Sequence, residues 1–193
     1  PKYTLNNIKN TSPVYFISQA LLEVDKILEK EKPDGIVVLG DTNSSLTAIS
    51  SKKRKIPIFH IEAGNRCFDD RVPEEINRRI VDHLSDINMT YSDYAKQNLL
   101  IEGLKQDRVI KIGSPLFEVY NFYETQIEKS NILNKLKLKK NNFFLASVHR
   151  EENVDDPNSL REIIKSFDKL IKKFKIPLIF STHPRTKANL KKI

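Results

Sequence analysis

Apolar and polar positions along this chain follow two periods, and the switching between them predicts alternating helices and strands. From Val14 to Lys32, the side chains Val14, Ile17, Leu21, Leu22, Val24, Ile27 and Leu28 recur at largely helical spacing, and Pro33-Asp34-Gly35 ends the run. Gly35 to Gly40 (GIVVLG) is a short unbroken apolar run, the pattern of a buried strand, with Asp41 directly after it. Thr42 to Ser51 reads as a helix capped by Thr or Asn. Ile56 to Ile61 is a second strand, ending in the carboxylate Glu62 and the small residues Ala63 and Gly64. Pro73 to Leu84 is a helix with Pro at its first position and Glu74 and Glu75 in its first turn, where carboxylates suit the dipole.

The alternation continues with a strand from Asp86 to Tyr91 and a helix capped by Ser92 and stopped by Gly103. A strand over 108–112 closes on Gly113-Ser114-Pro115 and leads into a helix from Leu116 to about Asn134. Residues 131–142 (NILNKLKLKKNN) are polar, basic and low in complexity, and place a domain boundary near 134. Beyond it the pattern restarts with a strand at 143–148 and a His-Arg-Glu-Glu-Asn turn. A helix from Asp156-Pro157 to Phe174, a strand at 177–181, a Thr-His-Pro-Arg turn and a helix start at Thr186 follow. Two strands with about two helices cannot bury a parallel sheet on both faces, so the second unit, 135–193, reads as incomplete.

Repeated βα units predict an α/β fold with parallel, doubly wound sheets, on which ligands bind beyond the carboxyl ends of the strands. Asp41, Glu62, Ser92, Ser114, His149-Arg150 and His183 all follow predicted strands and are expected on one rim. Each has a plainer alternative. Asp41-Thr42-Asn43 is equally a helix cap, and Glu74 and Glu75 stand four residues before Arg78 and Arg79, the spacing of exposed ion pairs. His149-Arg150-Glu151-Glu152 suits an anionic oxygen or an interface salt-bridge cluster, and His183 is as easily a turn histidine. Glu62 is harder to dismiss, because a carboxylate extending a buried strand needs a partner.

Composition narrows the classes. With 193 residues, 39% hydrophobic and 30% charged, the chain is globular rather than disordered, with one core or slightly more. The formal charge of +8 permits an anionic partner, but the lysines are scattered, which favours a solvated surface over nucleic acid. A single cysteine, Cys67, excludes an intrachain disulfide framework and suits a reducing, cytoplasmic setting. No apolar run is long enough for a membrane span, and Pro1-Lys2-Tyr3 starts no signal peptide. The four histidines lack metal-ligand spacing, and neither a P-loop nor GxGxxG is present, so no metal and no cofactor are expected. The absent initiator Met suggests a fragment.

Several carboxylates beside cationic groups suit removal of a proton from carbon together with expulsion of a phosphorylated leaving group, an elimination and re-addition on a nucleotide sugar. The motifs LGDTNSSL, HIEAGNRCFDDRVPEEINRRIVDHLSDI, IGSP, SVHREEN and STHPR, in this order, resemble the non-hydrolysing UDP-N-acetylglucosamine 2-epimerase family from about Pro13 onward. The segment GNRCFDDRVPEEINRRIVDH most resembles its UDP-2-acetamido-2,6-dideoxy-L-talose 2-epimerase branch.

That resemblance implies two Rossmann-like domains in the GT-B arrangement, a UDP-sugar substrate, and anti elimination of UDP to a 2-acetamidoglycal before re-addition. It further implies a role in capsule, O-antigen or other cell-envelope precursor synthesis and, for the full-length protein, a homodimer. Asp41, Glu62 and Glu74 match the family's catalytic carboxylates, and His149 its active-site histidine. Arg66, Arg150, Glu151, Ser114 and His183 are expected to bind substrate or brace the carboxylates, although His183-Pro184-Arg185 departs from the family's His-x-Asn-Pro turn. The chain begins after the family's Gly-Thr-Arg-Pro-Glu turn and stops before its uridine-binding segments, so activity is expected of the full-length parent and little of these 193 residues. A hydrolysing relative, a GT-B glycosyltransferase and a non-catalytic nucleotide-sugar sensor are the competing readings.

Overall fold

A computed structural model of the chain describes residues 2–4 and 12–192. The chain divides into two compact units, Pro1–Val119 and Tyr120–Ile193.

In the first unit, α1 (Pro13–Glu31) has Ser12 as its N-cap, with the Ser12 hydroxyl accepting from the Tyr15 N–H. Strand β1 (Ile36–Leu39) leads to a 3-10 turn over Asn43–Thr47 and then α2 (Ala48–Lys53). The helix expected over 42–51 is therefore shorter and starts as a tight turn. Thr42 stands at the cap but bonds the Ser44 hydroxyl, and Asn43 is held by Asn77, so neither side chain caps. Next come β2 (Ile58–Ile61), α3 (Pro73–Leu84), β3 (Ile87–Thr90), α4 (Asp93–Ile101) and β4 (Val109–Lys111). Ser92 caps α4 by accepting from the Ala95 N–H, as the Ser-x-x pattern predicts.

The four strands are parallel and lie in sequence order. Successive right-handed crossovers in one direction put the linking helices on one face, a single winding of the doubly wound pattern. On that face Leu46, Ala48, Ile58 and Val81 form a buried cluster with Ile17, Ile36 and Val38 against it, and Ala63, Leu99 and Val109 form a second. The same face buries polar groups: His60, Asn88 and Thr90 occupy the inward register of β2 and β3. The opposite face presents Val37, Leu39, Phe59 and Ile110, all exposed.

Helix α5 (Leu116–Glu128) begins after Ser114, whose hydroxyl accepts from the Leu116 N–H. It ends six residues short of 134, because Ser130 and Asn131 favour local side-chain bonds over helix, and Asn131 starts the separate α6 (Ile132–Lys135). The expected boundary at 134 thus falls inside the second unit.

That unit pairs β5 (Phe144–Ser147) with β6 (Leu178–Ser181) in parallel. The turn expected after β5 contains a short helix, α7 (Glu151–Val154). Helix α8 (Pro157–Phe174) is capped by Asp156, which accepts from the N–H groups of Asn158 and Ser159, and α9 (Pro184–Leu190) follows β6. Among the described residues, the buried apolar side chains here are Val154 and Leu160, a small core for two strands.

Candidate active site

The parallel register puts the carboxyl ends of β1 to β4 on one edge of the first sheet, so the residues that follow each strand share that edge. Asp41 and Glu62 are both there. A Cβ added to Gly40 would lie 3.5 Å from Glu62 Oε2, so the Glu62 carboxylate lies near the end of β1. Burial, and then the charge of Glu62, push the hydroxyl of Tyr91, the residue after β3, up from its ordinary value. Glu62 itself adopts φ 72°, a left-handed backbone that costs a non-glycine residue about 1–2 kcal/mol.

Arg78 on α3 donates to Asp41 Oδ2 through both Nε, at 2.8 Å, and a terminal nitrogen. Its other terminal nitrogen donates to Glu75 Oε2 at 2.9 Å and to the Asn65 carbonyl at 3.1 Å. Asn77 donates to the Asp41 carbonyl at 3.0 Å. The cap alternative for Asp41 is therefore not realised: its carboxylate serves α3, not the amides ahead of it. Among the described residues, no side chain hydrogen-bonds the carboxylate of Glu62, which is only half-buried.

The two glutamates that open α3 separate. Glu74 is exposed at the rim end of the helix, while Glu75 is fully buried. Burial alone would raise Glu75, but the Cys67 N–H at 3.0 Å, Arg79 at 3.1 Å and Arg78 outweigh it and hold the carboxyl below its usual range. The expected i,i+4 pairing forms for Glu75 with Arg79, though with Glu75 buried rather than exposed because α3 turns it onto the loop that β2 feeds, and Arg78 bonds Asp41 and Glu75 in place of Glu74. Sequence reading missed Glu75, Arg78 and Asn77. The apolar period of α3 runs through Ile76, Ile80, Val81 and Leu84, of which Ile76 and Ile80 are exposed, so it does not mark 75, 77 or 78 as inward.

Arg66 lies beneath the rim with a fully buried side chain. It donates to Asp82 Oδ2 at 2.7 Å and, through two nitrogens at 2.7 Å each, to both oxygens of Glu102. Burial opposes its charge, but these two carboxylates prevail and raise its pKa further. The same contact, against burial and with help from His83, brings Glu102 down to about 2. Every one of these bonds is internal, and through them Arg66 braces the β2–α3 loop. Sequence reading also missed His60 and Asp82, both fully buried, which bond at 2.8 Å.

Ser114 is exposed at its cap, following β4 on the same edge. In the second unit, exposed His149 and Arg150 follow β5, and His183 follows β6 with its ring 6.0 Å from that of His149. His183 Nδ1 accepts from the Arg185 N–H at 3.3 Å, the turn-histidine role that was its alternative. The side chain of Glu151 lies outside the described residues. No group of three or more His, Cys, Asp or Glu among the described residues is arranged to hold a metal ion, and no helix there is long and apolar enough to cross a membrane.

A family model described as UDP-N-acetylglucosamine 2-epimerase matches residues 1–193. A UDP-N-acetylglucosamine 2-epimerase of Methanocaldococcus jannaschii is 38% identical over 99% of this chain and 53% of its own length. The solved UDP-N-acetylglucosamine 2-epimerase of Rickettsia bellii superposes with a TM-score of 0.89 at 48% identity, over all of this chain and 50% of that one. The M. jannaschii enzyme, solved in complex with UDP-GlcNAc and UDP, superposes with a TM-score of 0.88 at 37% identity, over all of this chain and 53% of that one. The chain spans about half the length of the curated relatives it matches.

Proposed function

The chain belongs to the UDP-N-acetylglucosamine 2-epimerase family, and from that premise we propose that the whole protein inverts C2 of a UDP-2-acetamido sugar by eliminating and re-adding UDP. The observation that carries the assignment of roles is the contrast between two rim carboxylates. One oxygen of Asp41 already receives two guanidinium N–H bonds, whereas no side chain among the described residues hydrogen-bonds Glu62.

Glu62 is accordingly the base: it takes the proton from C2, the C1–O bond breaks with its electron pair leaving on UDP, and a C1–C2 double bond forms. In the reverse sense, a UDP oxygen attacks C1 and C2 takes a proton on the opposite face, so no oxidant or cofactor is consumed. Asp41 and Glu74 serve as the further carboxylates of the reaction, with Asp41 oriented by Arg78 to deliver or hold a proton. His149 and Arg150 supply N–H donors and positive charge of the kind a departing diphosphate requires.

The resemblance of the β2–α3 loop and α3 to the UDP-2-acetamido-2,6-dideoxy-L-talose 2-epimerase branch makes the 6-deoxy-L-talo sugar a candidate substrate beside the D-gluco sugar. A cytoplasmic, homodimeric enzyme of envelope polysaccharide precursor synthesis is the setting we assign. The test is incubation of the whole protein with each UDP-sugar in D2O. Deuterium entering C2, with the epimer as product, supports the proposal, and entry in only one sugar identifies the substrate. Free sugar with UDP supports a hydrolase instead, and no exchange in either sugar refutes the epimerase reading.

A further inference from the structure

Beneath the rim lies a buried ionic chain that the proposed reaction does not use. His60 has both ring nitrogens against acceptors: Nδ1 is 2.8 Å from Asp82 Oδ1 and Nε2 is 3.0 Å from the Gly40 carbonyl. A carbonyl can only accept, so Nε2 carries a proton. Asp82 also receives the Gly64 N–H, at 3.3 and 3.2 Å to its two oxygens, and Arg66 at 2.7 Å, all bonds that favour a carboxylate. A carboxylate facing Nδ1 requires a proton there too. Both ring nitrogens of His60 thus face acceptors, the arrangement that suits an imidazolium, with none of its surface exposed.

With an imidazolium at His60 the charges balance along the chain: His60 positive, Asp82 negative, Arg66 positive, Glu102 negative, with half-exposed His83 donating to Glu102 at 3.1 Å. A buried charge survives only when paired in this way. Its members hold the two turns that matter at the rim. Asp82 and Arg66 fix the loop after Glu62, through the Gly64 N–H and the Asn65 carbonyl. His60 fixes the carbonyl of Gly40, the residue before Asp41, where φ is +74°. The carbonyl at that turn is held by the His60 ring at 3.0 Å.

We propose that His60 is a positioning residue: as a buried imidazolium it clamps the Gly40 carbonyl and so sets the turn from which Asp41 reaches the substrate. The role rests on the epimerase reading, but the state of the ring does not.

The test has two arms on the whole protein. With histidine labelled with 15N, a long-range proton–nitrogen spectrum near neutral pH is expected to show the His60 ring, assigned by its loss in His60→Gln, with both nitrogens protonated. A neutral His60 ring overturns the inference. In the second arm, an Asn side chain can replace Nδ1 and a Gln side chain Nε2. His60→Asn, which loses the Gly40 bond, is expected to lower kcat about thirtyfold with KM unmoved, and His60→Gln to recover most of that loss. Equal losses in both variants, in step with lost stability, mean a merely structural histidine and overturn the role. A wild-type protein that exchanges no C2 proton overturns the role together with the reading it rests on, whatever the spectrum shows.

Discussion

Arg78 holds the carboxylate of Asp41 from 37 residues away, joining a strand end to the second turn of a helix. The same guanidinium also bonds Glu75 and the Asn65 carbonyl, so one side chain, only 13% exposed, ties three segments together. Lysine has a point charge and cannot make these bonds in one plane. Arg78→Lys is expected to cost about 2–4 kcal/mol, chiefly because Glu75 is left buried with less compensation, read as a lower urea midpoint. In the whole protein C2 exchange is expected to fall with it.

Gly64 is a second point of no tolerance. Its φ is +78°, and an added Cβ would lie 2.2 Å from the Ala95 carbonyl oxygen, which belongs to the backbone of α4 and cannot swing aside. Gly64→Ala is expected to cost on the order of 4 kcal/mol or to prevent folding. Gly113, at φ +80° with nothing within 4 Å, is the control: Gly113→Ala carries only the backbone penalty of about 1 kcal/mol. Comparable thermal midpoints for the two variants would refute the close packing of the β2–α3 loop on α4.

Acid should weaken the first unit through Glu102. Its carboxyl falls from 4.5 in the unfolded chain to about 2 in the fold, through Arg66 first. A depressed carboxyl stabilises the fold in full above its unfolded value, and the contribution drains away as pH drops from about 4.5 toward 2. The amount is about 3 kcal/mol. Glu75 and Asp86 are depressed as well and act in the same direction. Urea midpoints are expected to hold level down to about pH 5 and then fall. Glu102→Gln should start lower and lose less below that point, and an unchanged slope would remove Glu102 from the account.

Much of this was legible in the residue pattern, and the rest was hidden for physical reasons. Helix α3 declared itself through Pro73, the acidic first turn and its apolar period, and Ser92 through its cap. The rim order followed from strands preceding Asp41 and Glu62. Periodicity could not say which of two adjacent glutamates turns inward, because Glu74 and Glu75 differ by only one position on the helix and the loop they meet is set by tertiary packing. His60 was masked in the same way. Inside a short apolar run it reads as filler, and its partners Asp82 and Gly40 lie 22 and 20 residues away.

Glu62 offers a test in which stability and function part company. Its φ of 72° suits Asn far better than Glu, and its half-buried carboxylate lacks a hydrogen-bonding side chain among the described residues. Glu62→Asn removes both costs, so the folded state is expected to gain about 1 kcal/mol, a rise of roughly 2–4 °C in thermal midpoint for a chain of this size. The same change removes the base from the edge of the sheet, and C2 deuterium exchange in the whole protein is expected to fall at least about a hundredfold. A variant both more stable and inactive identifies strain retained for chemistry. A variant that keeps its exchange moves the base to another carboxylate, and one that loses stability denies that the backbone at Glu62 is strained.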